Sequence, residues 1–285
     1  MNQEAEKMRV ETIEVGNHKF TARIAGTDQG EMVLLLHGFP QTSYSYRHQL
    51  SALAQEGYYA VAFDQRGYSE GARPENSEAY QIKYLVEDVL AVAEKLGAKQ
   101  FHLVGHDWGA ALGWNIAANF PQKLLSYTAL SVPHTDAFHE ALANPECEQA
   151  KSSSYIDIFI QDSSEDILLK DERIRLKNMY QGIPPGDVEE YLRVLGNKSA
   201  LSAALNWYRA NLGPGVKQRH LGKVTVPTLY IWGTEDIALG QYAAESTEKY
   251  VQKGRYTFKP LDGSGHWLLE SDSRLITELI LKHIR

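Results

Sequence analysis

The sequence predicts an α/β protein: a mostly parallel, doubly wound sheet with an inserted helical layer. Three observations carry that expectation. Short, nearly continuous apolar runs recur along the chain, as strands buried on both faces require. Amphipathic stretches of helical spacing lie between them. The alternation fails between about Pro133 and Gly222 and resumes at Val224-Thr225-Val226-Pro227, which marks an insertion into the sheet order.

Val10–Val15 and Lys19–Ala25 read as a hairpin closed by the turn dipeptide Gly16-Asn17. Met32–Leu36, Tyr59–Phe63, Phe101–Val104, Leu125–Val132 and Thr228–Trp232 are the apolar runs expected to be buried strands. Tyr84–Leu96 repeats apolar residues at helical spacing, and Gly97 closes that helix. Asn144-Pro145, Gly182-Ile183-Pro184-Pro185-Gly186 and Gly213-Pro214-Gly215 break the insertion into helical segments. Residues 134–219 are thus expected to form a helical cap on a core of residues 1–133 and 220–285. Such a cap lies across the carboxyl ends of the strands, where open α/β sheets bind ligands.

The chemistry is concentrated in Gly105-His106-Asp107-Trp108-Gly109, which fills the Gly-x-nucleophile-x-Gly frame of a strand-to-helix elbow with a carboxylate. It follows the strand Phe101–Val104 and precedes a helix expected over Ala110–Phe120. An aspartate here can displace a leaving group from saturated carbon and form an alkyl ester that water cleaves. The competing role for Asp107 is to cap the helix through its side-chain oxygen.

Chain order supplies the partners that such a nucleophile needs. Thr228–Trp232 runs into Gly233-Thr234-Glu235-Asp236, and Gly263-Ser264-Gly265-His266-Trp267 follows the strand expected at Tyr256-Thr257-Phe258. His266 is the expected base, and Asp236 the acid that fixes its tautomer, with Glu235 the nearest competitor. His37-Gly38-Phe39-Pro40 and Trp108 are positioned to give backbone N–H groups to an oxyanion. His37 and His106 are expected to hydrogen-bond in support. The remaining histidines (His18, His48, His102, His134, His139, His220 and His283) read as packing or surface residues.

Composition narrows the classes of partner. At 285 residues, 43% hydrophobic and 23% charged, the chain can enclose one sizeable core. A net charge of -7 offers no basic surface to nucleic acid and no attraction to anionic membranes. No stretch approaches the roughly 20 apolar residues of a membrane span. The single cysteine, Cys147, excludes an internal disulfide, and Met1–Lys7 lacks the apolar core of a signal peptide, so the expected compartment is cytoplasmic. No His-x-x-x-His or Cys-x-x-Cys spacing occurs, and neither metal nor cofactor is expected. The expected partner is a small molecule, bound by a monomer or homodimer.

Together with Asp64-Gln65-Arg66-Gly67-Tyr68, these motifs resemble the α/β-hydrolase superfamily and, within it, the soluble epoxide hydrolases with an aspartate nucleophile. The resemblance covers nearly the whole chain. It implies the α/β-hydrolase fold with a cap, and the opening of an oxirane through a covalent alkyl-enzyme intermediate that water hydrolyses to a vicinal diol. It implies Asp107 as nucleophile, Asp236 and His266 as the rest of a triad, and the amides of Phe39 and Trp108 as the oxyanion hole. It further implies two cap tyrosines as acids. Asn206-Trp207-Tyr208-Arg209 resembles the motif carrying one, and Ser153-Ser154-Tyr155-Ile156 the segment carrying the other. A phenol of pKa about 10 stays protonated at neutral pH and can donate as the alkoxide develops. With 16 tyrosines in the chain, simple packing is the competing role. Asp157, beside Tyr155, would bring a charge close to that pocket.

Two rival functions use the same motifs. A haloalkane or haloacid dehalogenase employs the same aspartate ester. The haloalkane enzymes resemble this chain but usually pair the tryptophan after the nucleophile with an asparagine where Phe39 stands, or with a cap tryptophan, here Trp207. The haloacid enzymes carry arginines where Trp108 and Ala111 stand. A non-catalytic ligand-binding protein of the same fold is the second rival. A serine esterase fits less well, because Ser131 and Ser264 lack an elbow.

Overall fold

The structure, a computed structural model, describes residues 8–285. Met1–Lys7, on which the signal-peptide reading rests, lie outside the described residues. Among the described residues one sheet is built from β1 (Arg9–Val15), β2 (His18–Ala25), β3 (Met32–Leu36), β4 (Tyr59–Phe63), β5 (Phe101–His106), β6 (Leu124–Leu130), β7 (Thr228–Gly233) and β8 (Tyr256–Leu261). Their order across the sheet is β1-β2-β4-β3-β5-β6-β7-β8. The hairpin is antiparallel, with Val15 opposite His18, and β2 meets β4 antiparallel. All later pairings are parallel, as the apolar runs require.

Helices α1 (Arg47–Gln55), α2 (Ile82–Lys95) and α3 (Trp108–Asn119) connect the parallel strands. Between β6 and β7 come α4 (Thr135–Ala143), α5 (Gln149–Ser152), α6 (Ile156–Phe159), α7 (Ser164–Asn178), α8 (Pro185–Leu195) and α9 (Lys198–Leu212). The chain ends through α10 (Gln241–Ser246), α11 (Leu268–Ser271) and α12 (Ser273–Ile284). No helix among the described residues is long and apolar enough to cross a membrane.

Successive strand residues point to opposite faces, and the core divides accordingly. Val33 and Leu35 of β3, Ala60 and Ala62 of β4, and Leu229 and Ile231 of β7 pack with Leu50 and Leu53 of α1 and with Ile276, Ile280 and Ile284 of α12. The spacing of those three isoleucines keeps them on one stripe of the helix, and each contributes about 2 kcal/mol by leaving water. Leu34, Leu36, Val61, Phe63 and Leu103 face the other way, toward Leu85, Val89 and Val92 of α2 and Leu112 and Ile116 of α3.

Two of the boundaries that differ from the sequence expectation share one physical reason. Asp107 and Ser131 both adopt positive φ, at 52° and 71°. The first ends β5 abruptly, so α3 begins at Trp108 instead of Ala110. The second stops β6 at Leu130 instead of Val132. The insertion is also more broken than its composition implies. α5 and α6 are single turns, and α7 is interrupted over Lys170–Arg173, where three consecutive residues are left-handed. α9 is continuous, starts from an Asn197 cap on Ala200 N, and brings Trp207 and Tyr208 against Trp108 with ring centroids 5.7 and 5.1 Å away.

Candidate active site

Asp107 sits where an N-cap residue would, but its side chain makes no capping bond among the described residues. Its Oδ1 instead accepts the backbone N–H of Phe39 at 2.8 Å. The capping role is therefore set aside. The close approach of α3 to β3 depends on Gly109, where a Cβ would stand 2.0 Å from the Leu36 carbonyl oxygen. Burial raises the Asp107 carboxyl above its ordinary range; the His266 charge and the N–H groups of Trp108 and Phe39 oppose that rise.

His266 and Asp236 meet Asp107 from the two loops that follow β8 and β7. His266 Nδ1 lies 3.1 and 3.0 Å from the two Asp236 oxygens, and Nε2 lies 3.8 Å from Asp107 Oδ2, beyond hydrogen-bond reach. Ser131 adds its hydroxyl, donating to Asp236 Oδ2 at 2.6 Å and standing 2.9 Å from His266 Nδ1. The N–H groups of Ala238 and Leu239 donate to Asp236 Oδ1 at 2.9 and 3.1 Å. Glu235, the competitor for the acid position, is exposed. Burial works to raise Asp236, but His266, by charge and hydrogen bond, and then Ser131 outweigh it and hold the carboxyl low. Burial pulls His266 down, yet Asp236 and then Asp107 lift it to about 9.

The two expected supporting histidines are fully buried; His37 bridges two main-chain groups, and His106 bridges the His266 main chain and the Gln41 side chain. His37 Nε2 accepts from Gln65 N at 3.1 Å, and Nδ1 contacts the Gly38 carbonyl at 3.0 Å. His106 Nε2 lies 2.9 Å from the His266 carbonyl oxygen, and Nδ1 lies 2.8 Å from Gln41 Oε1. Burial keeps both well below the usual imidazole value, His37 at about 4 and His106 at about 3. Both make the polar contacts that a supporting role would use.

A cavity of about 950 Å³ opens over the elbow. Asp107, Trp108, Tyr155 and Tyr208 form part of its wall, with Val132, Phe138, Ile156, Leu212 and Leu239 supplying apolar surface. Phe39 and His266 reach Asp107 without forming part of that wall. Tyr208 is buried, its ring edge-on to Phe39, Trp108 and Phe159, and 6.4 Å between centroids from Tyr155. Burial, ahead of the Asp107 charge, pushes both phenols up. Asp157 points to solvent and brings no charge to the wall. Trp207 commits its indole N–H to the Arg66 carbonyl at 2.8 Å. Among the described residues no group of three His, Cys, Asp or Glu side chains is arranged to hold a metal ion.

Sequence reasoning missed Ser131, Gln41, Glu270 and Tyr191. Ser131 follows the last residue of a strand, a weak signal that an elbow-type fold could have used. The other three are joined only by tertiary contact: Gln41 Nε2 donates to Glu270 Oε1 at 2.7 Å, and the Tyr191 hydroxyl donates to the same oxygen.

The alpha/beta hydrolase fold family model matches residues 31–150. The chain is 32% identical over 272 residues to the AB hydrolase superfamily protein YfhM of Bacillus subtilis, which spans 92% of this chain and 92% of that protein. With this sheet, elbow and triad geometry, the chain belongs to the α/β-hydrolase superfamily. Among its relatives are epoxide hydrolases. Epoxide hydrolase A of Mycobacterium tuberculosis is 31% identical over 304 residues, covering 91% of this chain and 92% of its own. A mutant epoxide hydrolase from Bacillus megaterium, complexed with its product, a naphthyloxy-propane-1,2-diol, superimposes with a TM-score of 0.86 at 26% identity, covering 96% of this chain and 99% of that one.

Proposed function

We propose that this protein is a cofactor-independent epoxide hydrolase, acting in the cytoplasm on a small-molecule epoxide, with residues 134–219 as the cap over the core of 1–133 and 220–285. The observation that carries the reading is one cavity wall holding a carboxylate nucleophile and two protonated phenols. Asp107 Oδ2 attacks an oxirane carbon, the C–O bond breaks, and its electron pair goes to the oxygen, which takes a proton from Tyr208 or Tyr155. The product of this step is an ester on Asp107 that carries a free hydroxyl.

In the second step His266 takes a proton from water, which attacks the ester carbonyl carbon. The Phe39 and Trp108 amides stabilise the charge that develops on Oδ1. The tetrahedral intermediate expels the alkoxide, which takes the proton of the new carboxyl, while the proton taken from water leaves His266 as the cation it is at rest. Water and epoxide are consumed and a vicinal diol leaves. The electrostatics suit this order. Esterification removes the Asp107 charge that helps to lift His266, so its resting proton passes to the tyrosinate, which restores the phenol and leaves the base neutral at the step where it must accept a proton.

Dehalogenation fits less well. A halide needs N–H donors, and the indole of Trp207 is occupied by Arg66, while Phe39 has no side-chain donor. A ligand-binding role leaves the alignment of Asp107, His266 and Asp236 without a purpose. The deciding experiment is intact-protein mass spectrometry of a His266→Gln variant incubated with epoxides, haloalkanes and haloacetates, followed by peptide mapping. An adduct on Asp107 that retains the oxirane oxygen is expected. An adduct formed only by loss of halide would overturn the proposal in favour of a dehalogenase, and binding without adduct or wild-type turnover would favour a receptor.

A further inference from the structure

Glu270 lies on α11, four residues beyond His266, and takes no part in the chemistry above. The residue is half-buried, yet its Oε2 is shut off from solvent and has no hydrogen-bond partner among the described residues. Its Oε1 receives Gln41 Nε2 at 2.7 Å and the Tyr191 hydroxyl of α8. Gln41, wholly buried, faces His106 Nδ1 with Oε1 at 2.8 Å, and His106 Nε2 faces the His266 carbonyl oxygen at 2.9 Å. A continuous chain of polar contacts therefore runs from Tyr191 through Glu270, Gln41 and His106 to the main chain of His266.

The chain carries a proton conflict. Both His106 nitrogens face acceptors, and a neutral imidazole has a single N–H to give. Two arrangements resolve it. In one, His106 is a cation with both nitrogens protonated and Glu270 is a carboxylate. In the other, the Gln41 amide makes a half-turn, Nε2 donates to a bare His106 Nδ1, and Oε1 accepts from Glu270, which must then be the protonated acid. The two hold the same number of protons and the same net charge. They differ in whether charge is separated inside the protein.

Charge separation is the costlier answer in a buried site. Burial and then the His266 charge hold His106 at about 3, while burial lifts Glu270 to about 7. The charged and titratable groups facing Glu270 are Tyr191 and Asp187 of α8, Arg47 of α1, Tyr46, Tyr180 and His266. Of these the Tyr191 hydroxyl, through its hydrogen bond, Arg47 and a protonated His266 favour a carboxylate, and burial outweighs them; Arg47 is already paired with Asp187. Turning the Gln41 amide also removes an N–H that favours the carboxylate.

We infer that Glu270 is held as the neutral acid and acts through Gln41 and His106 as a positioning residue for His266. The kinetic consequence rests on the proposed function; the proton placement does not. A neutral chain ties the His266 main chain to β5. It also removes a carboxylate whose charge would otherwise help to keep His266 protonated and unable to serve as a base.

Two measurements test this. In the wild-type chain labelled with ¹⁵N-histidine, long-range correlation spectra at pH 5.5 to 6.5 are expected to show His106 with a protonated Nε2 and a bare Nδ1. A doubly protonated ring would overturn the inference, whatever the substrate proves to be. The second measurement compares pH profiles of epoxide turnover. Glu270→Ala is expected to lower kcat about tenfold, the cost of one broken buried hydrogen-bond chain. Glu270→Gln, which keeps an N–H for Gln41 Oε1, is expected to restore most of that loss and to remove the alkaline fall set by Glu270 ionisation. Equal loss in both variants would mean that the carboxylate is required and would overturn the inference. If the wild type turns over no epoxide, the proposed function fails while the ring spectra still decide the proton placement.

Discussion

Phe39 donates its backbone N–H to Oδ1 of Asp107 at 2.8 Å, which makes the two oxygens of this carboxylate inequivalent. Oδ1 is held by that amide, and on the proposed function Oδ2, the oxygen nearer to His266, is the one left to attack carbon. The water that cleaves the ester must then add to Asp107 and not to substrate. In a single turnover in ¹⁸O-water with enzyme in excess, the label is expected in the peptide containing Asp107 and absent from the first diol released. Label appearing in that first diol would show direct attack of water on the epoxide.

Tyr208, on α9, and Tyr155, just before α6, form parts of one cavity wall, and on the proposed function both donate to the same leaving oxygen. Loss of one positioned acid costs about 10²-fold or more. Tyr208→Phe is expected to slow ester formation by about that factor and Tyr155→Phe by a comparable amount, with unchanged thermal melting, because both rings keep their packing. Rapid-quench detection of the Asp107 ester checks this. Full activity in Tyr208→Phe would sink its assignment as an acid.

Gly38 separates the oxyanion amide from the strand before it. A Cβ on it would stand 2.3 Å from both Oδ1 and Cβ of Asp107. The nucleophile has no room to yield, because Oδ1 is fixed by Phe39. Gly38→Ala is expected to lower kcat by about 10²-fold or more, as misplacement of a reacting group does, and to cost on the order of 1 to 3 kcal/mol from overpacking. Steady-state kinetics alongside urea melts would check both, and a variant of normal activity would mean that the loop adjusts freely.

Much of the fold was legible because its signals are local. Continuous apolar runs such as Met32–Leu36 specify buried strands by themselves, and the elbow is spelled out in five consecutive residues. Chain order then led to Asp236 and His266 without coordinates. Other features depend on contacts that no window of sequence contains. Gln41 and Glu270 are far apart in the chain, and each alone reads as an ordinary polar residue. Ser131 carries no elbow signature, since its role comes from ending β6 at positive φ between Asp236 and His266. The broken helices of the insertion were invisible for a related reason: single turns such as α5 are held by packing, with too few residues to show a period.

The His266–Asp236 pair also makes stability depend on pH, with a sign that follows from the direction of each shift. Held at about 9 against an ordinary 6.5, His266 binds its proton more tightly when folded. Its contribution is fully present below about 6.5 and is lost as pH rises through 9. Asp236, held low, works in the opposite sense: its contribution is present above the ordinary carboxylate value and is lost as pH falls through the folded value. Glu270, lifted to about 7, loses its contribution as pH rises from about 4.5, but it is common to wild type and His266→Gln and cancels in their difference. Between pH 6.5 and 9 the wild type is therefore expected to lose on the order of 2 kcal/mol more unfolding free energy than His266→Gln. Urea titrations of both proteins at four or five pH values measure that difference directly. Parallel curves would mean that His266 is not held as a cation by Asp236 and Asp107 in the free enzyme, and that the base is already neutral before any ester forms.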